Sequence, residues 1–322
     1  MKLLKRPRRN RQHSIFRHWR GDTEVSRKDF VYPLFVVDGQ KQKQEISAMP
    51  GQYRWSSDLI LNICEETLKK GVEAIALFPA VEESLKNSTA DEALNPNNLV
   101  RRTLKDIKKR FPELIVVTDI ALDPYNSDGH DGLVKDGIIL NDETTEILAK
   151  MSVLDAEAGA DVVAPSDMMD GRVLAMREAL DHKNFKNTSI ISYTAKYASA
   201  FYGPFREALD SAPKAGDKKT YQMSPGSKKE ALLEADCDYE EGADILMVKP
   251  ALPYLDIITD LKNHSKLPIA AYNVSGEYSM IKAACEKGWL DEQKVIGESL
   301  LSIKRAGADV IFTYFALDEF TY

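Results

Sequence analysis

The chain has 322 residues, of which 43% are hydrophobic and 29% charged, and its formal net charge at pH 7 is −7. This apolar fraction excludes a disordered chain, and no apolar run approaches the roughly 18 residues that a membrane helix needs. The three cysteines form no CxxC pair, which argues against a disulfide framework or a zinc knot and favours a reducing compartment. Together with the lack of an export signal, these features predict a cytoplasmic protein with no membrane partner.

The N-terminal arm is the most basic part of the chain. Residues 1–20 contain eight Lys or Arg and no acid, so the remaining residues are eight charges more negative than the whole chain. Such an arm is compatible with nucleic-acid binding, but no nucleic-acid-binding motif accompanies it and the acidic body would repel phosphates. We therefore expect no nucleic-acid partner, and an arm that is solvated or lies on a neighbouring subunit.

Eight short runs of β-branched or aliphatic residues follow the arm. They are apolar on successive residues, as required of parallel strands covered by helices on both faces. In chain order they span residues 31–37, 73–79, 114–120, 161–166, 189–194, 244–249, 267–273 and 309–315.

Helical patterns separate these runs. One spans 56–71, with Ser56 or Ser57 as N-cap and Gly71 as its end, and another spans 141–160, with Asn141 as N-cap and Gly159 as its end. Gly-Ala-Asp recurs at 159–161, 242–244 and 307–309, each time between a helix and a strand.

Eight alternations of this kind predict a (β/α)₈ TIM barrel over residues 31–322, preceded by an arm over residues 1–30. A doubly wound open sheet is the alternative, but it is disfavoured because no GxGxxG follows the first strand. Two long connections, 80–98 and 195–227, interrupt the regular pattern, and loops of that length are usually functional or disordered.

Two lysines follow consecutive predicted strands, at the barrel face that carries active sites. Lys196 follows the fifth strand and Lys249 ends the sixth, so the two should lie side by side. A single lysine here would be read as a surface residue. Two lysines in apolar and aromatic surroundings are different, because burial and the charge of a second cation both lower a lysine pKa. The resulting neutral amine can attack a ketone to form a Schiff base.

An acidic loop follows the third strand. Its carboxylates are Asp119, Asp123, Asp128 and Asp131, and we assign Asp119, Asp123 and Asp131 as catalytic. Their oxygens suit proton transfer beside an imine or a hard cation such as Mg²⁺, although a structural acidic turn is the more common fate of such loops.

Along nearly its whole length, the sequence resembles the porphobilinogen synthase (5-aminolevulinate dehydratase) family. The matching segments are KRPRRNR (5–11), YPLFV (32–36), TDIALDPY (118–125), SYTAKYASAFYGPFR (192–206), TYQM (220–223), LMVKPALPYLDI (246–257), SGEY (275–278) and RAGADVIFTYFA (305–316).

The resemblance implies a lyase that condenses two 5-aminolevulinate molecules into porphobilinogen for tetrapyrrole synthesis. It implies that Lys249 holds the first substrate as a Schiff base and Lys196 the second. The implied ligands of the two substrate carboxylates are Ser275 and Tyr314 for the first, and Arg206, Lys218 and Gln222 for the second. The last three lie in the 195–227 connection, which matches the family's active-site lid.

The resemblance also bears on metals and assembly. Zinc-dependent members have three cysteines where this chain has Ala121, Asp123 and Asp131, so no zinc is expected. Asp128 stands where many members have His. Glu234 matches a glutamate that helps to bind an activating Mg²⁺ outside the active site, and the implied assembly is an allosteric homo-octamer in which the arm embraces a neighbouring barrel.

Two other functions are compatible with a barrel of this kind. A class I aldolase would need one imine lysine rather than two. A barrel kept only for binding or assembly would not need the complete set of carboxylate ligands. Both sequence features favour the synthase.

Overall fold

A computed structural model describes residues 3–209 and 214–322. The first two residues of the predicted arm and residues 210–213 of the predicted 195–227 connection lie outside the described residues. The strands are β1 (Phe30–Val37), β2 (Lys43–Glu45), β3 (Tyr53–Ser56), β4 (Ala74–Ala80), β5 (Ile115–Ile120), β6 (Leu133–Lys135), β7 (Ile138–Leu140), β8 (Val162–Pro165), β9 (Ser189–Lys196), β10 (Ile245–Lys249), β11 (Ile269–Asn273) and β12 (Val310–Thr313).

Within the described residues, eight parallel strands form a closed barrel. Their order around it is β1, β4, β5, β8, β9, β10, β11 and β12, and β12 closes onto β1 where Phe30 lies opposite Ile311. Each of the eight predicted apolar runs supplies one of these strands, because strands sandwiched between helices and the barrel interior are buried almost residue by residue. The prediction of a (β/α)₈ barrel is confirmed.

Helices separate the barrel strands. They are α2 (Ser57–Lys69), α3 (Leu99–Arg110), α4 (Asn141–Ala158), α5 (Arg172–His182), α6 (Gly203–Leu209), α7 (Lys229–Glu240), α8 (Leu255–His264), α9 (Ser275–Glu286) and α10 (Glu292–Ala306), whereas α1 (Ser14–Arg20) lies in the arm. Short 3-10 turns occur at Pro7–Arg11, Arg27–Asp29, Glu83–Leu85, Asp91–Leu94, Ala200–Tyr202 and Leu252–Tyr254. No helix in the two described ranges is both long and apolar enough to cross a membrane.

The Gly-Ala-Asp repeats form three equivalent clamps at the N-terminal end of the barrel. In each, the glycine has a positive φ and ends a helix, and the aspartate side chain accepts the backbone N–H of a residue at the start of the preceding strand at 2.8 Å. The clamps join Asp161 to Val116, Asp244 to Ile190, and Asp309 to Ile269. The basic side chains that contact these aspartates are Lys108, Arg177 and Lys262, respectively.

The N-terminal arm lies outside the barrel. Every residue from 3 to 22 is exposed, including the apolar side chains Ile15, Phe16 and Trp19 of α1. The segment nearest the barrel is held by Arg27, whose guanidinium donates to the carbonyl of Asp318 at 2.6 Å. Most of the described arm therefore has its apolar side chains in solvent within the single chain.

A buried ion pair holds the 80–98 connection in place. Arg101 of α3 donates to Asp155 of α4 at 2.8 Å, and its guanidinium also donates to the carbonyls of Ala93 and Asn95. Both charged side chains are about 1% exposed. Because a buried charge needs both a partner and hydrogen bonds, this pair fixes the path of the connection over the barrel.

Candidate active site

Lys196 and Lys249 lie next to each other at the C-terminal rim of the barrel. Each is the last residue of its strand, β9 or β10, and the strand register places the two residues directly opposite one another. Both are buried, with about 6% of their surface exposed. The side-by-side position follows from the strand order, since residues that end neighbouring parallel strands share one rim.

Aromatic rings surround the ammonium group of Lys249. Its Nζ lies 4.5 Å from the ring centre of Tyr272, 5.0 Å from those of Tyr193 and Phe205, and 5.3 Å from that of Tyr202. Burial, and then the positive charge of Lys196, lower the pKa of Lys249 to about 7. A large fraction of Lys249 is therefore a neutral amine at pH 7, the form that attacks a carbonyl carbon.

Lys196 is held by oxygen atoms. It donates to Oδ2 of Asp131 at 3.0 Å and to the main-chain carbonyl of Ser166, which follows β8. The other oxygen of Asp131 accepts from Lys218. Burial alone would raise the pKa of Asp131, but the charges of Lys196 and Lys218 outweigh it and lower that pKa to about 2. Asp131 is thus a fixed anion shared by two lysines.

Asp119 and Asp123 lie close enough for their charges to interact. Burial, followed by the negative charge of Asp123, raises the pKa of Asp119 to about 7, although the charges of Lys249 and Lys196 oppose the rise. Among the described residues, the buried Oδ1 of Asp119 has no hydrogen-bond partner. Asp123 lies 3.4 Å from Lys218. Asp119 is therefore suited to gain and lose a proton near neutral pH.

A small, partly open cavity of about 30 Å³ is lined by several of these groups. Six of the eight side chains that line it are ones that the sequence singled out, and the other two are Tyr202 and Phe205. The six are Asp123, Lys196, Arg206, Lys218, Gln222 and Lys249. The lining thus combines cationic side chains that can bind a carboxylate with amines that can attack a ketone.

Ser275 and Tyr314 adjoin this cavity without lining it. The Ser275 hydroxyl accepts the backbone N–H of Phe205 at 3.0 Å. The Tyr314 hydroxyl is 3.2 Å from that of Tyr272, one of the rings around Lys249. Each predicted ligand of the first carboxylate therefore contacts a residue that surrounds Lys249: Ser275 contacts Phe205, and Tyr314 contacts Tyr272.

The described part of the 195–227 connection is docked on the acidic loop that follows β5. His130 contacts the Tyr221 hydroxyl at 3.1 Å through Nδ1 and the carbonyl of Ala215 at 3.0 Å through Nε2. The backbone N–H of Lys214 donates to the carbonyl of Asp128. Lys218 and Gln222, in the same connection, line one cavity with the two strand-end lysines.

Glu234 lies apart from the active site, on α7. It lines a separate crevice of about 440 Å³ together with Asn141, Asp170 and Glu230. Throughout the residues that the structure describes, no three His, Cys, Asp or Glu side chains form a group that could hold a metal ion.

Sequence reasoning missed several groups that shape the site. Tyr202, Phe205 and Tyr272 complete the ring of aromatic side chains around Lys249, and the Ser166 carbonyl binds Lys196. Ser166 and Tyr272 could have been found from their place at the end of a predicted strand. No local pattern indicates that Tyr202 and Phe205 fold back over Lys249.

Comparisons with known proteins agree with this geometry. A model of the family "Delta-aminolevulinic acid dehydratase" matches residues 4–321. The chain is 58% identical to delta-aminolevulinic acid dehydratase 1, chloroplastic, of Arabidopsis thaliana, over all of this chain and 75% of that protein, and 58% identical to the chloroplastic enzyme of Physcomitrium patens, over 97% and 72%.

A solved structure is similar over most of its length. It is the delta-aminolevulinic acid dehydratase (porphobilinogen synthase) of Toxoplasma gondii ME49 in complex with the reaction product porphobilinogen. It matches with a TM-score of 0.97 and 48% identity, over 98% of this chain and 90% of that one.

The comparisons overturn one prediction. A cytoplasmic location was expected from the free cysteines and the missing export signal, but the relatives from Arabidopsis, Physcomitrium and Glycine max are named chloroplastic. The prediction is wrong because reduced cysteines are equally compatible with the inside of a plastid, so they do not distinguish the two compartments. The names give a plastid location for those relatives.

Proposed function

The chain belongs to the delta-aminolevulinic acid dehydratase family, and we propose that its reaction proceeds through imines on Lys249 and Lys196. The enzyme is a lyase that condenses two molecules of 5-aminolevulinate into porphobilinogen, with loss of two waters, in tetrapyrrole synthesis. The observation that carries the assignment of the lysines is their pairing at the ends of β9 and β10, with Lys249 inside a cage of aromatic rings.

Lys249 binds the first substrate. Its neutral amine attacks the ketone carbon to give a carbinolamine, which loses water to form the imine. The aromatic rings keep bulk water from Nζ, which favours the neutral amine before the attack. Ser275 and Tyr314 bind the carboxylate of this substrate, since both hydroxyl groups adjoin the rings around Lys249.

Lys196 binds the second substrate. Only a neutral amine is a nucleophile, so a proton on Nζ has to leave before Lys196 attacks the ketone. Nζ of Lys196 lies 3.0 Å from Oδ2 of Asp131. Asp119, with a pKa near 7, takes up and returns protons during imine formation and the loss of water. The carboxylates of Asp123 and Asp131 offset the positive charges of Lys196 and Lys218 while these protons move.

Arg206, Lys218 and Gln222 bind the carboxylate of the second substrate. Lys218 is engaged by Asp123 and Asp131, so the substrate carboxylate competes with these two side chains for its ammonium group. Gln222 lines the same cavity, where its amide N–H groups can donate to the carboxylate. Both features support a site that is completed by substrate.

Enzymes of this family use metal ions, and Mg²⁺ is the proposed activator of this one. Glu234, with Glu230 and Asp170 in the same crevice, offers the hard oxygen atoms that Mg²⁺ prefers, and Mg²⁺ needs only one or two carboxylates because it retains several waters. The crevice is separate from the two lysines, so the ion would act on assembly rather than on the chemistry. Zinc is not expected, because positions 121, 123 and 131 offer no sulfur.

The proposed assembly is a homo-octamer in which the arm, residues 1–30, embraces a neighbouring barrel, residues 31–322 forming the catalytic domain. The apolar side chains Ile15, Phe16 and Trp19 support it, because they are exposed in the single chain and would be buried against a neighbour. The basic arm and the acidic body also attract one another.

The function is tested by incubating the enzyme with 5-aminolevulinate and detecting the pyrrole with an aldehyde reagent. Borohydride added during turnover should reduce the imines and leave stable adducts on Lys249, Lys196 or both. Lys249→Ala and Lys196→Ala should each lose nearly all kcat, whereas Lys135→Ala, at an exposed lysine, should not. Absence of a pyrrole with the parent enzyme under every metal condition, or adducts spread over other lysines, would refute the proposal.

A further inference from the structure

Glu277 is a buried carboxylate that the mechanism above does not use. It lies in the first turn of α9 with none of its surface exposed. Within the described residues, no lysine, arginine or histidine forms an ion pair with it. Its two oxygens instead accept the backbone N–H groups of Leu252 and Val274, and burial raises its pKa to about 8.

The two N–H groups belong to different strand-end segments. Leu252 is three residues after Lys249, in the segment that follows β10. Val274 follows β11 and immediately precedes Ser275. One carboxylate therefore connects the segment that carries the imine-forming lysine to the segment that carries the serine for the first carboxylate.

The main chain at Lys249 is also held from the other side. Its carbonyl accepts the backbone N–H of Tyr197 at 3.0 Å and the hydroxyl of Tyr202 at 3.1 Å. With Leu252 bound to Glu277, the backbone of residues 249–252 is fixed at both ends. Beyond the last paired residues of β10 and β11, Val248 and Ala271, the side chain of Glu277 then links this segment to the one that carries Ser275.

We propose that Glu277 is a positioning residue that sets the separation between Lys249 Nζ and Ser275 Oγ, and thereby selects keto acids by the number of carbons between ketone and carboxylate. The inference rests on the proposed function, in which Lys249 binds the ketone and Ser275 the carboxylate. A carboxyl group suits this task in either protonation state, because both of its oxygens keep lone pairs that accept hydrogen bonds. An amide in its place would turn an N–H donor toward one of the two backbone N–H groups.

The test compares two keto acids that differ by one methylene group, 4-oxopentanoate and 5-oxohexanoate. Neither has the amino group needed to complete a pyrrole, so each stops at the imine, which borohydride reduces to a secondary amine on Lys249. The ratio of trapping efficiencies, measured by peptide mass spectrometry over a range of concentrations, reports selectivity. We expect the parent to favour 4-oxopentanoate at least tenfold and Glu277→Gln to reduce that ratio at least fivefold.

Asp155→Asn is the matched control, since Asp155 is an equally buried carboxylate that pairs with Arg101 outside the site. It should lower the melting temperature and leave the ratio unchanged. If Glu277→Gln does not fold, Glu277→Asp, which shortens the link by one methylene, gives the same comparison. An unchanged ratio in the folded Glu277 variant, or an equal loss in Asp155→Asn, would overturn the inference alone, whereas no adduct on Lys249 in the parent would overturn the proposed function.

Discussion

The positive charge of Lys196 is predicted to control how readily Lys249 reacts. Lys196 is the second cause, after burial, of the low pKa of Lys249. Lys196→Gln removes that charge and keeps a side chain of similar length. The pKa of Lys249 should therefore rise, and less of the amine should be neutral at pH 7.

The size of the effect follows from the register. Lys196 and Lys249 lie opposite each other on neighbouring strands, which are about 4.8 Å apart, so a separation of ~7 Å between the two ammonium groups is reasonable. At an effective dielectric constant of about 20, their repulsion is ~2.4 kcal/mol, or roughly 1.7 pKa units. The neutral fraction of Lys249 at pH 7 would fall from about one half to about 2%.

Borohydride trapping of 4-oxopentanoate on Lys249, measured from pH 5 to 10, checks this prediction. The parent should show a midpoint near pH 7, and Lys196→Gln a midpoint above pH 8, with the two curves meeting at high pH. Asp123→Asn supplies a control of opposite sign, because the charge of Asp123 raises the pKa of Lys249. Midpoints that coincide in all three proteins, or that move in the same direction in both variants, would show that charge does not tune this lysine.

Three further predictions concern assembly, metal and stability. Deleting residues 1–20 should leave a folded barrel by circular dichroism but a smaller oligomer by light scattering, and an unchanged octamer would show that the arm does not hold the assembly together. Glu234→Ala should lose Mg²⁺ stimulation and keep basal activity in assays with and without a chelator. Asp123→Ala should instead impair turnover at every Mg²⁺ concentration. A Glu234→Ala enzyme that responds to Mg²⁺ like the parent would contradict the proposed site. Because the pKa of Asp131 is about 2 in the folded chain and ~3.9 in an unfolded one, its contribution to stability is present above pH 4 and is lost as the pH falls toward 2. Denaturant unfolding should therefore show a loss of about 2 kcal/mol over that interval that is absent from Asp131→Asn, and equal losses in both proteins would refute the assignment.

Most of the barrel could be predicted because its signal is local. A run such as residues 267–273 is apolar throughout, and this property alone indicates a strand covered on both faces. The pairing of Lys196 with Lys249 followed from the same pattern, since strand order fixes which residues share a rim. Short elements were missed: β2, β3, β6 and β7 are only three or four residues long, and most of their side chains are not buried.

The surroundings of the lysines could not be predicted in the same way. Tyr202 and Phe205 reach Lys249 from a connection whose path depends on contacts with α9 and with the acidic loop, not on its own sequence. The pKa values near 7 of Lys249 and Asp119 depend on burial and on each other's charges, which arise only after the strands close into a barrel. The predicted N-cap at Asn141 was also displaced by one residue, because α4 begins at Asn141 and its N-cap is Leu140.

The three Gly-Ala-Asp clamps stabilise one end of the barrel, and the candidate active site lies at the other. Each fastens a pair of strands at the N-terminal rim, while the reactive side chains occupy the opposite rim. Mutations at one rim can then be selected for robustness without disturbing turnover, and loops at the other can drift toward new substrates on an unchanged base. Because the same clamp recurs at three pairs of strands, the N-terminal rim can stay constant while residues at the catalytic rim change.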